Sequence, residues 1–231
     1  MKVAEFRGRN VPSLDDRIEA IVALWSEPIP GLWKRDQDPR LLNPERRYCR
    51  THTGGDRVPR GEHAIEQEIL GSGPEITPTM CLGGRLIDGV NAVPLAKDAG
   101  GGRAGNVEAD MLLLVADDSG YKQLLVEVKA RSNHPWYAAV EVLRQLRLFS
   151  KSVAPQCLFH TRRPDLTLPH SLPTTAVVLA PAPFYSAPGR NAATIAPSEA
   201  LLERLRTRFG VDARLATWDQ SERLVQQRSA T

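Results

Sequence analysis

The chain has 231 residues, 42% of them hydrophobic and 25% charged, which is the composition of a globular protein with one hydrophobic core. Its 30 basic and 27 acidic residues give a net charge of +3, too small to indicate nucleic-acid binding by itself. No apolar run is long enough for a transmembrane helix, and residues 1–12 lack the apolar core of a signal peptide, so we expect a cytoplasmic protein without a membrane partner.

The first 58 residues are predicted to form an arm that packs on a domain spanning 59–231. One amphipathic helix is expected at 13–25, followed by an irregular stretch rich in Pro and Arg. The domain alternates helices and strands around a central hairpin, which predicts an α/β fold with a mixed sheet flanked by helices. Its predicted elements are a helix at 59–70, short strand pieces within 76–94, a hairpin of strands 107–115 and 121–130, a helix at 135–150, a strand at 174–179, a helix at 197–209 and a strand at 213–218.

Two features argue against other kinds of site. The cysteines (Cys49, Cys81 and Cys157) are odd in number and far apart, so a disulfide framework or a structural zinc site is not expected, and we predict reduced, structural thiols. The glycine-rich segment 97–105 lacks the lysine and the following helix of a phosphate-binding loop, and it is predicted to be a mobile linker.

Charged residues interrupt both strands of the predicted hairpin. Apolar runs such as 111–115 and 124–126 indicate strands buried on both faces, yet Asp110, Glu127 and Lys129 lie among them. A turn over 117–120 places Asp110 opposite Glu127, and the period of two places Glu127 and Lys129 on one face. A one-residue change of register would separate these groups.

Two adjacent carboxylates repel each other unless a cation lies between them, and oxygen ligands of this kind suit Mg²⁺ or Mn²⁺. A nearby lysine could orient or deprotonate a water, or neutralise charge on a phosphate. These are the groups that phosphodiester hydrolysis uses. The alternative is that Lys129 forms an internal ion pair with Glu127 or Asp110, with no further role.

The pattern of Asp110 followed by Glu127-Val128-Lys129 resembles the signature of the PD-(D/E)xK nuclease superfamily. The resemblance covers about residues 59–181 and implies a restriction-endonuclease-like αβββαβ core, with the signature on its second and third strands. It implies a metal-dependent nuclease in which Asp110 and Glu127 bind Mg²⁺ or Mn²⁺ and Lys129 assists the attacking water. This chain departs from the common pattern in having Ala109, not proline, before Asp110.

The resemblance also implies roles for two helices. Many members carry a glutamate on the helix before the sheet, and Glu66 fits this place better than Glu62 because it borders the apolar stripe of the helix. The pair Gln145-Leu146 is similar to an element of the RecB-like branch, where Gln145 would hold the lysine or a phosphate. Ordinary surface glutamates and a surface glutamine are the alternatives.

A basic stretch without a carboxylate runs from 144 to 163, and it predicts a surface that binds the phosphate backbone or, alternatively, a solvated helix end. Its basic residues are Arg144, Arg147, Lys151, Arg162 and Arg163. We therefore expect a DNA-cutting enzyme, with RNA as the alternative substrate and a homodimer as the assembly that would suit two cuts on a duplex. A non-catalytic nucleic-acid-binding or assembly module with the same fold is the alternative function.

Overall fold

The computed structural model describes residues 14–27, 61–71, 84–97, 106–131 and 134–218. Within these ranges the elements follow in the order α1 (Leu14–Trp25), α2 (Glu62–Gly71), β1 (Arg85–Lys97), β2 (Asn106–Asp117), β3 (Gly120–Val128), α3 (Pro135–Phe149), α4 (Val153–Gln156), α5 (Leu158–Arg162), β4 (Thr174–Pro181), α6 (Ala182–Ser186), α7 (Arg190–Phe209) and β5 (Ala213–Trp218).

The strands form one five-stranded sheet in the order β1-β2-β3-β4-β5. The first three strands are antiparallel, whereas β3, β4 and β5 run parallel to one another. Parallel strands need a crossover, and the helices between β3 and β4 and between β4 and β5 supply it. The prediction of an α/β fold with a mixed sheet flanked by helices is confirmed.

The predicted hairpin and its register are also present. Strands β2 and β3 pair from Asp117↔Gly120 to Met111↔Val126. Gly120 has φ 112°, a backbone conformation that side-chain-bearing residues rarely adopt, and it closes the turn. The Asp117 carboxylate caps the turn by accepting a hydrogen bond from the Ser119 backbone N–H at 2.9 Å. Local turn chemistry therefore fixes the register on which the site depends.

Helices cover the two faces of the sheet unequally. Alternate strand residues, such as Leu112 and Leu125, face a large core formed with α1, α3, α5 and α7. The other set, such as Met111 and Leu124, packs with Ile65 and Ile69 of α2. Because α2 and α3 lie on opposite faces, side chains from both can reach the end of the β2–β3 hairpin.

Two elements differ from the sequence-based prediction. β1 is one strand of 13 residues, and register shifts at Leu86/Asp88 and Pro94/Ala96 accommodate its irregular sequence. α7 begins at Arg190, seven residues before the predicted start, and contains Pro197 in its interior. The missing N–H of Pro197 costs the helix one hydrogen bond, so proline was a poor marker of the helix start here.

Several predictions fall outside the described residues, namely the irregular stretch 28–60, the loop 98–105 and two of the cysteines, Cys49 and Cys81. The third, Cys157, is a free thiol, in agreement with the predicted reduced state, but it is exposed, which does not fit the structural role that was also predicted. Within the described ranges, no helix is both long and apolar enough to cross a membrane.

Candidate active site

The sheet forks between β2 and β3 just beyond their last paired residues. Their ladder ends at Met111↔Val126. β2 continues alongside β1, where Ala109 pairs with Val93, and β3 continues alongside β4, where Glu127 pairs with Val178. The two strands therefore separate at the point where Asp110 and Glu127 face each other.

Side chains replace the backbone hydrogen bonds that the fork removes. The Asp110 Oδ2 atom accepts a hydrogen bond from the Val128 backbone N–H at 2.7 Å. On the other branch, the Gln145 Nε2 atom donates to the Glu108 carbonyl oxygen at 3.1 Å. A buried backbone group without a partner costs free energy, so these two side chains stabilise the open fork.

Lys129 lies between two carboxylates beside the fork. Its ammonium donates to Glu127 Oε1 and forms a second ion pair, at 3.0 Å, with Glu141 Oε2 of α3. The other oxygen of Glu127, Oε2, accepts a hydrogen bond from Gln145 Nε2. Glu127 is therefore held at both oxygens, by residues from two different elements.

The surroundings of Asp110 disfavour the ionised form of its carboxyl group. The pKa of Asp110 is raised to about 7, with burial as the largest cause, the Val128 hydrogen bond acting to lower it and the charge of Glu66 acting to raise it. Ionised Asp110 is therefore unfavourable in the folded protein, and a cation beside it would relieve this cost.

The pKa values of the neighbouring groups shift in directions that follow from the same crowding. Burial, with the charges of Asp110 and Glu141, holds the pKa of Glu127 well above its usual range. Burial lowers the pKa of Lys129, but the ion pairs with Glu127 and Glu141 outweigh it and leave the pKa above its usual value. Lys129 is thus an ammonium here, which can orient a water and stabilise a phosphate oxygen but cannot act as a base.

A second group of polar side chains lies on the α2 side of the sheet. Glu66 is buried, and its Oε2 atom accepts a hydrogen bond from Asn91 Nδ2 of β1 at 3.0 Å. Its Oε1 atom lies 3.1 Å from His63 Nδ1. Glu66 is near enough to raise the pKa of Asp110, and Glu62 contributes less. Asp110 is therefore the group that links the α2 side to the Lys129 side.

The predicted site residues are brought together only in part. Asp110, Glu127, Lys129 and Gln145 surround the fork, with Glu66 across the sheet. In the part of the chain that the structure describes, no three His, Cys, Asp or Glu side chains are arranged as a group that could hold a metal ion. The carboxylates instead contact Lys129, Gln145, Asn91 and the Val128 N–H.

The basic stretch does not form one uniform surface. Arg162 is buried and pairs in a bidentate manner with Asp88 of β1, at 3.0 Å for both contacts, so its guanidinium is structural. Arg163 pairs with Asp165 at 2.6 Å and 2.8 Å. Arg147 donates to the Glu27 carbonyl oxygen, which ties α3 to the end of α1. Lys151 is exposed and Arg144 is half-buried.

Sequence reasoning missed two residues of the site, Glu141 and Asn91. Glu141 had a usable signal, because it precedes Gln145 by four residues and so lies on the same face of α3. No sequence signal pointed to Asn91, because its position opposite Met111 depends on the irregular register of β1. His134 is the N-cap of α3, where its Nδ1 atom accepts a hydrogen bond from the Tyr137 N–H at 3.4 Å.

Comparison of the chain with models of known protein families, with curated proteins and with solved structures finds no match. A functional conclusion therefore depends on the geometry and charge of the chain's own residues.

Proposed function

We propose that the protein is a metal-dependent nuclease that hydrolyses phosphodiester bonds, with DNA as its main substrate. The observation that carries this proposal is the fork, where Asp110 and Glu127 face each other beside the ammonium of Lys129. The pKa values of Asp110 and Glu127 are both raised, and carboxyl groups with raised pKa values next to a cation are common at catalytic sites. In a protein without a catalytic role, such groups would only lower the stability of the fold.

The order of elements supports membership of the PD-(D/E)xK superfamily. The chain runs from α2 through three antiparallel strands to α3 and then to β4, which is parallel to β3. This order agrees with the αβββαβ core that the sequence resemblance implies, with Asp110 on the second strand and Glu127 on the third.

The donor set at the fork fits a divalent cation. The charge of Asp110 acts on Glu127 and the charge of Glu66 acts on Asp110, and among the described side chains Lys129 is the ammonium that offsets them. Asp110 and Glu127 would hold the ion, with Glu66 as the third carboxylate, and oxygen ligands of this kind suit Mg²⁺ or Mn²⁺. When bound, the ion would polarise the phosphate and lower the pKa of a water.

The chain's own residues would perform the remaining work. Lys129 would orient the attacking water or stabilise charge on a phosphate oxygen, since it is protonated and carries three donors. Gln145 would hold Glu127 in place from α3. Of the basic stretch, Arg144 and Lys151 are the best candidates for phosphate contacts, because Arg162, Arg163 and Arg147 already have protein partners.

The test is cleavage of supercoiled plasmid and of a labelled single strand, each with Mg²⁺, Mn²⁺ or EDTA. Wild type is compared with Asp110→Asn, and with Asp118→Asn as a control that removes the same charge from the exposed turn of the same hairpin. We expect metal-dependent cutting by wild type and by the control, and none by Asp110→Asn.

A second candidate function, a non-catalytic nucleic-acid-binding module, is favoured by the carboxylates already being paired with protein donors. DNA binding with neither cleavage nor a response to metal would support that module and overturn the nuclease. Cleavage that persists in EDTA or in Asp110→Asn would also contradict the proposed site.

A further inference from the structure

Glu141 is surplus to the charge balance of Lys129. One carboxylate is enough to neutralise one ammonium, yet Lys129 contacts both Glu127 and Glu141. The Lys129 and Glu127 side chains are only 7% and 4% exposed, so an additional nearby negative charge is costly. Glu141 comes from α3, not from the hairpin, and its side chain is 29% exposed. A second carboxylate at such a place needs a reason.

Each donor that holds Glu127 has a second partner, an ion pair for Lys129 and a hydrogen bond for Gln145. Lys129 also contacts Glu141 at 3.0 Å, and Gln145 also donates to the Glu108 carbonyl oxygen at 3.1 Å. The orientation of the Gln145 amide follows from these contacts, because both of its partners are acceptors and must face the NH₂ group. If Glu127 turns away, Lys129 keeps its ion pair with Glu141 and Gln145 keeps its hydrogen bond to the Glu108 carbonyl oxygen.

We propose that Glu141 is a positioning residue that keeps the Lys129 ammonium in place when Glu127 passes from Lys129 to a metal ion. This inference rests on the proposed function, because it gives a reason for Glu127 to be released. Both oxygens of Glu127 already accept hydrogen bonds, one from Lys129 and one from Gln145, so a cation that draws Glu127 toward Asp110 competes with these two donors. With Glu141 present, displaced Lys129 retains a carboxylate partner, so the cost of burying an unpaired ammonium is avoided.

The same contacts give Glu141 a measurable effect on metal affinity that depends on Lys129. Among the described residues, Lys129 forms ion pairs with Glu127 and Glu141. In Glu141→Gln, a metal that captures Glu127 would therefore remove the remaining carboxylate of this pair from Lys129. Binding of the metal would then be weaker. A carboxylate that acted only through its own charge on the metal would weaken binding whether or not Lys129 were present.

The test is a double-mutant cycle of Glu141→Gln and Lys129→Met, with Mn²⁺ alone as the probe. The midpoint of thermal unfolding is measured as a function of Mn²⁺ concentration, which gives the dissociation constant without any need for activity. We expect Glu141→Gln to raise the dissociation constant about fivefold or more in the wild-type background and less than about twofold in the Lys129→Met background.

Two results would overturn the inference while leaving the nuclease standing. In the first, Glu141→Gln changes the Mn²⁺ dissociation constant equally in both backgrounds. In the second, it changes the constant in neither background. In both cases the wild-type protein still responds to Mn²⁺. No Mn²⁺ response and no cleavage by wild type would overturn both the inference and the proposed function. If Lys129→Met does not fold because two buried carboxylates are left facing each other, Lys129→Gln takes its place, since its amide can still donate to one of them.

Discussion

The Asp110 carboxylate accepts a hydrogen bond from the Val128 backbone N–H at 2.7 Å, where the next hydrogen bond between β2 and β3 would otherwise be expected. The side chain thus ends the ladder on one branch, as Gln145 does on the other through the Glu108 carbonyl oxygen. The residues proposed for chemistry are also those that satisfy the backbone of the fork. Substitutions there change stability and function together.

Asp110→Asn should make the metal-free protein more stable. The amide oxygen can still accept the Val128 hydrogen bond, while the negative charge that burial and Glu66 disfavour is gone. We expect the free energy of unfolding at pH 8 to rise by on the order of 1–2 kcal/mol, measured by urea denaturation in EDTA. Stabilisation by Mn²⁺ should disappear in the same variant. A loss of stability in EDTA would contradict the assignment of Asp110 as an electrostatically unfavourable group.

The stability of the metal-free protein should fall as pH rises from about 4 to about 7. The pKa of Asp110 is about 7 in the folded state and 3.8 in its usual range, so over this window the folded state holds a proton that the unfolded state has released. One such group gives a slope of at most about 1.4 kcal/mol per pH unit. Denaturation between pH 4 and 8 in EDTA checks this.

Asp110→Asn serves as the control for that measurement, because it lacks the titrating group. Its slope over the same pH window should be smaller than that of wild type, and Glu127, whose pKa is also raised, contributes to the slope that remains. Equal slopes in the two proteins would show that Asp110 does not titrate in this range.

Arg162→Met should destabilise the fold strongly and should not alter nucleic-acid binding by the folded protein. Its removal leaves the buried Asp88 charge without its bidentate partner, which costs on the order of 3–5 kcal/mol. The double variant Asp88→Asn with Arg162→Met should recover part of that loss. Lys151→Met, at an exposed position, is the matched change expected to leave stability unchanged and to reduce the salt dependence of DNA binding.

Gly89→Ala should move α2 and with it Glu66. A Cβ atom at Gly89 would lie 2.6 Å from the Leu70 side chain and 2.7 Å from the Leu113 side chain, too close for either to remain in place. We expect a loss of about 1–3 kcal/mol in the free energy of unfolding and weaker binding of Mn²⁺. Gly71→Ala is the control, since a Cβ atom there meets nothing within 4 Å. Equal free energies of unfolding for the two variants would show that α2 can shift without loss of stability.

The hairpin and its register were predictable because local chemistry determines them. Turn-forming residues at 117–120 fixed the pairing, and two apolar strands left only a few places for charge. The contact between Lys129 and Glu127 followed from the period of two. These inferences needed no knowledge of which helix covers which face.

The remaining parts of the site depended on long-range packing. The role of Arg162 was wrong in the prediction, because its partner Asp88 lies 74 residues away on a strand whose register shifts were not visible in the sequence. The separation of Glu66 from the Lys129 side arises because α2 and α3 cover opposite faces of the sheet. The start of α7 was predicted too late because Pro197 was taken as the first residue of the helix, a position that favours proline. Pro197 lies instead inside the helix.

The order of strands across the sheet is the same as their order along the chain, and this has a consequence for folding. We expect β1 to β3 to form first, by local antiparallel pairing, and β4 to join after the long connection that contains α3 has been ordered. The hairpin should thus form while Glu141 and Gln145 are still undocked, with its charged groups in water. Metal ions should therefore slow unfolding of the finished protein far more than they hasten its refolding.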